Sequence, residues 1–248
     1  MNVFERHDIQ HLSPSTCNMF AASPAAFVLD KVFKRKGKVG PAAHRGTAVE
    51  AGVAKGLLEG APEGECVREA EQTFSRLTAL SGDPRRDKEA AALADMVKFG
   101  LKELQPYGAP SSAQGKVEWK IEGVPVPMIG FYDFEWANHN IVVDLKTTHA
   151  LPSKISTSHA RQVALYKACM GLPDARICYV TSKKSAVYHL ENAEDHLRAL
   201  ESIARSISAF LSISEDPKEL ARTVVPDVDS FWFGDPETRQ AAFEIWGV

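Results

Sequence analysis

Residues 130–166 read GFYDFEWANHNIVVDLKTTHALPSKISTSHARQVALY. Two runs rich in β-branched and aromatic residues, Ile129–Glu135 and Ile141–Thr147, flank the polar segment Ala137-Asn138-His139-Asn140, the composition of a β-hairpin and its turn. A turn centred between Asn138 and His139 pairs residues whose numbers add to 277, which sets Asp133 opposite Asp144. Directly opposed residues of an antiparallel pair hold their Cβ atoms about 4.5–5.5 Å apart, so this register brings two carboxylates together on one sheet face. Side chains alternate along a strand: Val142, Asp144 and Lys146 point one way, and Ile141, Val143 and Leu145 point the other way, into the core. Two acids and a lysine then share a few ångströms.

Like charges facing each other across a strand pair are destabilising, and a chain selected for stability alone would avoid them. A divalent cation justifies the arrangement. Mg²⁺ binds through one or two carboxylates and keeps several waters, which leaves positions for phosphate oxygens. An ammonium beside such an ion can orient the attacking water and offset charge developing on a phosphoryl group. Taken alone, the Asp-x-Lys triplet is more readily a solvated cross-strand ladder with Asp133 at its edge.

The neighbourhood shifts that balance. Ser158–Met170 reads as a helix with Ser158 as N-cap and Gly171 just past its end, and on it Gln162 and Tyr166 lie one above the other. Gly130-Phe131-Tyr132-Asp133, then Asp144-Leu145-Lys146, then Gln162-x-x-x-Tyr166 resemble the ordered G-x-x-D, D-x-K and Q-x-x-x-Y motifs of the PD-(D/E)XK nuclease superfamily, in particular its RecB-like exonuclease branch. The resemblance runs from about residue 11 to 190. It implies an α/β fold with a restriction-endonuclease-like core, a mixed sheet of about five strands flanked by helices. It also implies metal-dependent hydrolysis of DNA phosphodiester bonds, with exonucleases of phage or bacterial recombination and repair as the nearest model. Substrates would be single- or double-stranded DNA ends, with a recombination partner protein and an oligomer as further expectations. Glu50, Asp133 and Asp144 would hold one or two Mg²⁺ or Mn²⁺ ions, helped by the Leu145 backbone carbonyl. Lys146 would position the water, and Gln162 and Tyr166 would contact the substrate backbone or steady the lysine.

Upstream, in PAAHRGTAVEAGVAKGLLEG (41–60), Val49, Val53 and Leu57 recur at helical spacing, and small residues at 48, 51, 52, 54 and 56 permit close packing. Glu50 borders that apolar stripe, where a carboxylate is costly unless paired or bound to metal. RecB-like nucleases carry their first motif on such a helix, commonly as G-T-x-x-H; here Gly46-Thr47-Ala48-Val49-Glu50 puts Glu in the histidine's place. His44 is the second ligand candidate, or an ordinary polar residue near a helix start. Ser13-Pro14-Ser15-Thr16, leading into a helix through Lys36, is similar to the branch's L-S-x-S opening, with Ser23-Pro24 in place of its Cys-Pro. No cysteine follows Cys178, so no iron-sulfur cluster is expected.

The run Lys31–Lys38 includes Lys34, Arg35 and Lys36, and reads either as a phosphate-backbone contact or as a solvated helix end. Glu63–Leu104 predicts two helices separated by Ser81-Gly82-Asp83-Pro84. Ser111–Gly115 reads as a loop and Lys116–Gly123 as the first strand. On that strand Glu118 either enlarges the acidic site or sits on a solvated edge. Ala175–Thr181 and Ala186–Glu191 form a second hairpin, and an amphipathic helix follows. The tail FWFGDPETRQAAFEIWGV is too aromatic to float free, and Trp232 or Phe233 could stack on a base.

The chain of 248 residues carries 29 Lys and Arg against 32 Asp and Glu, a net charge of −3, which does not suggest a general nucleic-acid coat protein. A length of that order is expected to form a single domain, 1–248, with helices over 1–110, the catalytic sheet and motif helix over 111–191, and further helices over 192–248. No apolar run reaches the roughly 20 residues of a membrane span, and the start lacks a signal-peptide core, so a cytoplasmic protein without membrane contact is expected. Four cysteines without C-x-x-C spacing read as thiols. Two other functions compete. One is a catalytically silent DNA-binding or assembly module, which the intact acids and lysine argue against. The other is a two-carboxylate glycosidase, which the adjacent lysine and the scarcity of sugar-stacking aromatics disfavour.

Overall fold

Ile141-Val142-Val143-Asp144-Leu145 is buried at every position, which is the pattern of a central strand covered on both faces. In the computed structural model, which describes all 248 residues, it is the middle of five strands. These are β1 (Ser112–Trp119), β2 (Met128–Trp136), β3 (Ile141–Thr147), β4 (Asp174–Val180) and β5 (Ser185–His189), in that spatial order. The β2–β3 and β4–β5 pairs are antiparallel and β3–β4 is parallel, so the sheet is mixed. The helices are α1 (Pro14–Ala22), α2 (Pro24–Phe27), α3 (Pro41–Glu59), α4 (Glu63–Leu77), α5 (Arg86–Ala90), α6 (Leu93–Leu104), α7 (Thr157–Met170), α8 (Ala193–Leu211), α9 (Pro217–Arg222) and α10 (Pro236–Trp246). None is long and apolar enough to cross a membrane.

The chain divides into two compact units. The sheet unit comprises Val39–Val117 and Phe131–Ala193. Its core joins Val49, Val53 and Leu57 of α3, Phe74 of α4 and Met96, Val97 and Leu101 of α6 to Ile141, Val143 and Leu145 of β3 and Cys178 and Val180 of β4. Helix α7, the β3–β4 crossover, packs on both of those strands. The helical unit comprises Met1–Lys38, Glu118–Gly130 and Glu194–Val248. In it Phe233, Ala241 and Ala242 pack on Ala25, Ala26 and Leu29, so the aromatic tail is folded in and Phe233, fully buried, has no face left for a base.

The glycines of α3 set how closely the helices approach. A Cβ on Gly52 would lie 2.5 Å from the Cys66 carbonyl oxygen of α4 and 3.0 Å from Val97, and one on Gly56 would lie 2.5 Å from Leu101 Cδ2. Gly52→Ala is therefore expected to destabilise the fold by about 1–3 kcal/mol through overpacking, less the roughly 1 kcal/mol that alanine's helix propensity returns. Gly82→Ala, where an added Cβ meets nothing within 4 Å, is the neutral control. Denaturant midpoints check the pair; equal midpoints would mean that α4 slides freely on α3.

Several boundaries differ from the sequence reading. The expected helix through Lys36 breaks at Ser23, whose side chain caps α2 by accepting from the Ala26 N–H, since a residue before proline disfavours helical geometry. The expected helix Asp87–Leu104 splits into α5 and α6, a break that accompanies the inward turn of Glu89 to Arg45. Strand β1 begins at Ser112, inside the expected loop. The cap of α7 is Ser156, not Ser158: its side chain accepts from the His159 N–H at 3.3 Å. Gly171, with φ +65°, ends α7 as expected.

Candidate active site

The β2–β3 ladder pairs Trp136 with Ile141, Glu135 with Val142 and Phe134 with Val143, the expected register, and it stops there. One step further Asp133 no longer pairs through its backbone: its Oδ2 accepts the Leu145 N–H at 2.6 Å. The hairpin opens at the point where its two acids face each other. Asp144 is fully buried. Lys146 Nζ forms an ion pair with Asp144 Oδ2 at 2.6 Å, which leaves the buried Asp144 Oδ1 as the oxygen without a partner in the protein. From α3, Glu50 reaches the same opening with Oε1 accepting from Gln114 Nε2 at 2.8 Å.

These charges act on one another. Burial first, then Asp144 and Glu50, hold the Asp133 carboxyl well above the usual carboxylate range, against Lys146 and the Leu145 N–H. Burial also raises Glu50, with Asp144 adding to it while Gln114 and Lys146 oppose. For Lys146, burial pulls the ammonium down, but Asp144, Asp133 and Glu50 outweigh it and leave it raised. At neutral pH Lys146 is thus an ammonium, suited to orienting a water and offsetting negative charge rather than to abstracting a proton.

The raised acids carry a pH dependence of determinate sign. Between the ordinary carboxylate range and the raised values the folded state holds protons that the unfolded state has lost. The metal-free protein is then most stable in mild acid and loses up to about 1.4 kcal/mol per pH unit per proton as pH rises through that window. Melting temperatures in EDTA should fall from mildly acidic to neutral pH, and Mg²⁺ should flatten the fall. A metal-free melting temperature that climbs instead would show the acids already ionised and compensated by Lys146.

Gln162 and Tyr166 lie on the face of α7 turned to the sheet. Tyr166 is buried, donates its hydroxyl to the Phe131 carbonyl at 2.6 Å and accepts from Gln162 Nε2 at 2.6 Å. Its ring packs edge-on to Tyr132 with centroids 6.3 Å apart. The pair braces β2 two residues before Asp133; it does not hold Lys146, and Tyr166 has no proton left for substrate.

A family model described as the PD-(D/E)XK nuclease superfamily matches residues 11–227. The chain belongs to the PD-(D/E)XK nuclease superfamily. A crystal structure of a candidate exonuclease from Eubacterium rectale has a TM-score of 0.57 at 11 % identity, covering 90 % of this chain and 87 % of that one, and shows the shared fold. The crystal structure of SSO0001 matches over 53 % of this chain and 68 % of that one, with a TM-score of 0.35 at 16 % identity. No curated protein sequence matches the chain.

Members of this superfamily generally use divalent metal ions, and the residues present fit one. A fully buried carboxylate paired with a single lysine, beside two acids of raised pKa, is the donor set of a hard cation. No three His, Cys, Asp or Glu side chains converge as a ready cage, and Asp133 and Glu50 each commit an oxygen, to Leu145 and Gln114. Mg²⁺ does not need a cage, since one or two carboxylates and waters suffice.

Of the other expected residues, His44 is half-buried on α3 six residues before Glu50, about 9 Å along the helix. Glu118 is exposed in the helical unit, and the acids that act on Asp133 are Asp144 and Glu50. Lys34, Arg35 and Lys36 are also in that unit: Lys34 Nζ donates to the Asp8 carbonyl at 2.8 Å, Arg35 pairs with Glu244 at 3.4 Å, and Lys36 is exposed. Three features went unread in the sequence. Gln114, at φ +52° on β1, holds Glu50. Buried Arg45 pairs with Glu89 and approaches His149 Nε2 at 3.2 Å and Thr147. His159 shares the α7 stripe of Gln162 and Tyr166, and that spacing of three and seven residues was a signal available from the sequence.

Proposed function

We propose that the protein is a divalent-metal-dependent deoxyribonuclease that degrades DNA from its ends. The observation that carries this reading is the fully buried Asp144 carboxylate, whose charge acts on Asp133 and Glu50 while Lys146 is the single cation paired with it. One ammonium against three carboxylates leaves buried negative charge, which is costly unless a further cation completes it. Glu50, Asp133 and Asp144, with the Leu145 carbonyl, would hold Mg²⁺ or Mn²⁺, which would supply an activated water and neutralise phosphoryl charge. Lys146 orients that water. Gln162 and Tyr166 keep β2 and Asp133 in place, and Lys34, Arg35 and Lys36 are proposed phosphate contacts. The reading includes no iron-sulfur cluster and a setting in DNA recombination or repair in the cytoplasm.

The test is incubation with linear and circular DNA, single- and double-stranded, with Mg²⁺, Mn²⁺ or EDTA. Linear DNA should disappear from its ends and circles should persist, with all loss stopped by EDTA. Tight DNA binding without cleavage under any of these conditions would instead support the silent binding module. The same assay decides the first ligand. Three carboxylates make a hard oxygen set that serves Mg²⁺ at least as well as Mn²⁺, so Glu50→Ala should raise the Mg²⁺ needed for half-activation by about tenfold or more. His44→Ala should leave it unchanged. The reverse pattern, with a preference for Mn²⁺, would make His44 the ligand.

A further inference from the structure

His159 lies on α7 one turn before Gln162, half-buried, with Nδ1 2.7 Å from the Tyr179 hydroxyl and its ring packed on the Tyr179 ring at 5.6 Å. Tyr179 is the register partner of Lys146 across the parallel β3–β4 pair, so this pairing stands beside the active-site lysine. The Tyr179 oxygen also faces the Ser156 N–H at 3.5 Å, at the α7 cap. The Tyr179 hydroxyl can accept from Ser156 and give its own proton to Nδ1 of His159, the tautomer on which the inference depends. A ring that accepts at Nδ1 carries its proton at Nε2. Burial, then the charge of Lys146, lowers the pKa of His159 while Asp144 opposes, so the ring is neutral and feels both active-site charges.

We propose that His159 is a further catalytic residue, whose Nε2–H, oriented by Tyr179, donates to a non-bridging oxygen of the scissile phosphate. This rests on the nuclease reading above. A neutral imidazole donor there complements Lys146: it takes part of the charge that develops on the phosphoryl oxygens and adds no cation to repel the lysine or the metal. Tyr179 is a positioning residue that acts through the ring.

Two measurements test this, one of them independent of activity. In metal-free protein at neutral pH, the ¹⁵N shifts of His159 should show Nε2 protonated and Nδ1 accepting, and Tyr179→Phe should mix the tautomers. An Nδ1–H ring in the wild type overturns the proposal. In the cleavage assay His159→Ala should lower kcat on the order of 10²-fold, while DNA affinity in Ca²⁺ changes little. His159→Gln, which keeps an N–H at similar reach, should recover most of the loss, and Tyr179→Phe should cost about tenfold. Sulfur at one non-bridging oxygen should slow the wild type, and that penalty should shrink in His159→Ala, a response that a merely structural histidine would not give. Wild-type cleavage with an unchanged rate in His159→Ala overturns this inference alone. A wild type that cleaves no DNA in Mg²⁺ or Mn²⁺ removes the nuclease reading and this inference together.

Discussion

Asp144→Asn is expected to bind DNA nearly as well as wild type and to cleave it on the order of 10³- to 10⁴-fold more slowly, about 4–5.5 kcal/mol at 1.36 kcal/mol per tenfold. The substitution preserves shape but removes the negative charge and one of the two oxygens of a fully buried carboxylate. If that carboxylate binds a cation, Asp133 and Glu50 make up for it only in part, because Asp133 Oδ2 is tied to Leu145 and Glu50 Oε1 to Gln114. Asp133→Asn is the informative companion. Its amide oxygen still accepts the Leu145 N–H, so the hairpin survives while the charge is lost. Both variants should lose the rise in melting temperature that Mg²⁺ gives the wild type. An Asp144→Asn enzyme with normal Mg²⁺ activation would sink the metal assignment, and unfolding of both asparagine variants would mean that the acids hold the fold rather than an ion.

Lys146→Ala should lower turnover by about 10²- to 10³-fold while DNA affinity measured in Ca²⁺ falls only slightly. The reason is the difference between one ammonium in a focused site and the many basic groups that share backbone affinity. Lys146 is three-quarters buried and held as a cation by Asp144, Asp133 and Glu50, so its charge is aimed at the acids and at whatever they bind. Equal losses in turnover and affinity would make it a phosphate anchor. Removing the lysine also removes the one cation that offsets three acids, and the metal-free variant should be less stable at neutral pH than in mild acid by a wider margin than wild type.

How much of this was legible in the chain follows from the range of each interaction. The turn at Ala137–Asn140 and the register it sets were readable because polar turn residues and a period of two are local properties, and the ladder observed obeys them pair by pair. The stop at Gly171, the apolar stripe of α3 and its small residues were readable for the same reason. The order of the three motifs was enough to identify the superfamily, since it is written along the chain. Only the tertiary structure decided that Asp144 would be wholly buried: that depends on β3 pairing in parallel with β4 while α7 covers its face, and no residue near Asp144 encodes either partner. It also decided that Ser156 rather than Ser158 would cap α7: the two serines carry the same local chemistry, and it is Ser156 whose N–H faces the Tyr179 hydroxyl of β4. Arg45 with Glu89 and His149, Gln114 with Glu50, and His159 with Tyr179 are pairings between segments 20 to 104 residues apart. Hydrogen bonds and ion pairs are short-range in space and indifferent to sequence separation, so the chain supplies the groups and only its folding brings each to its partner.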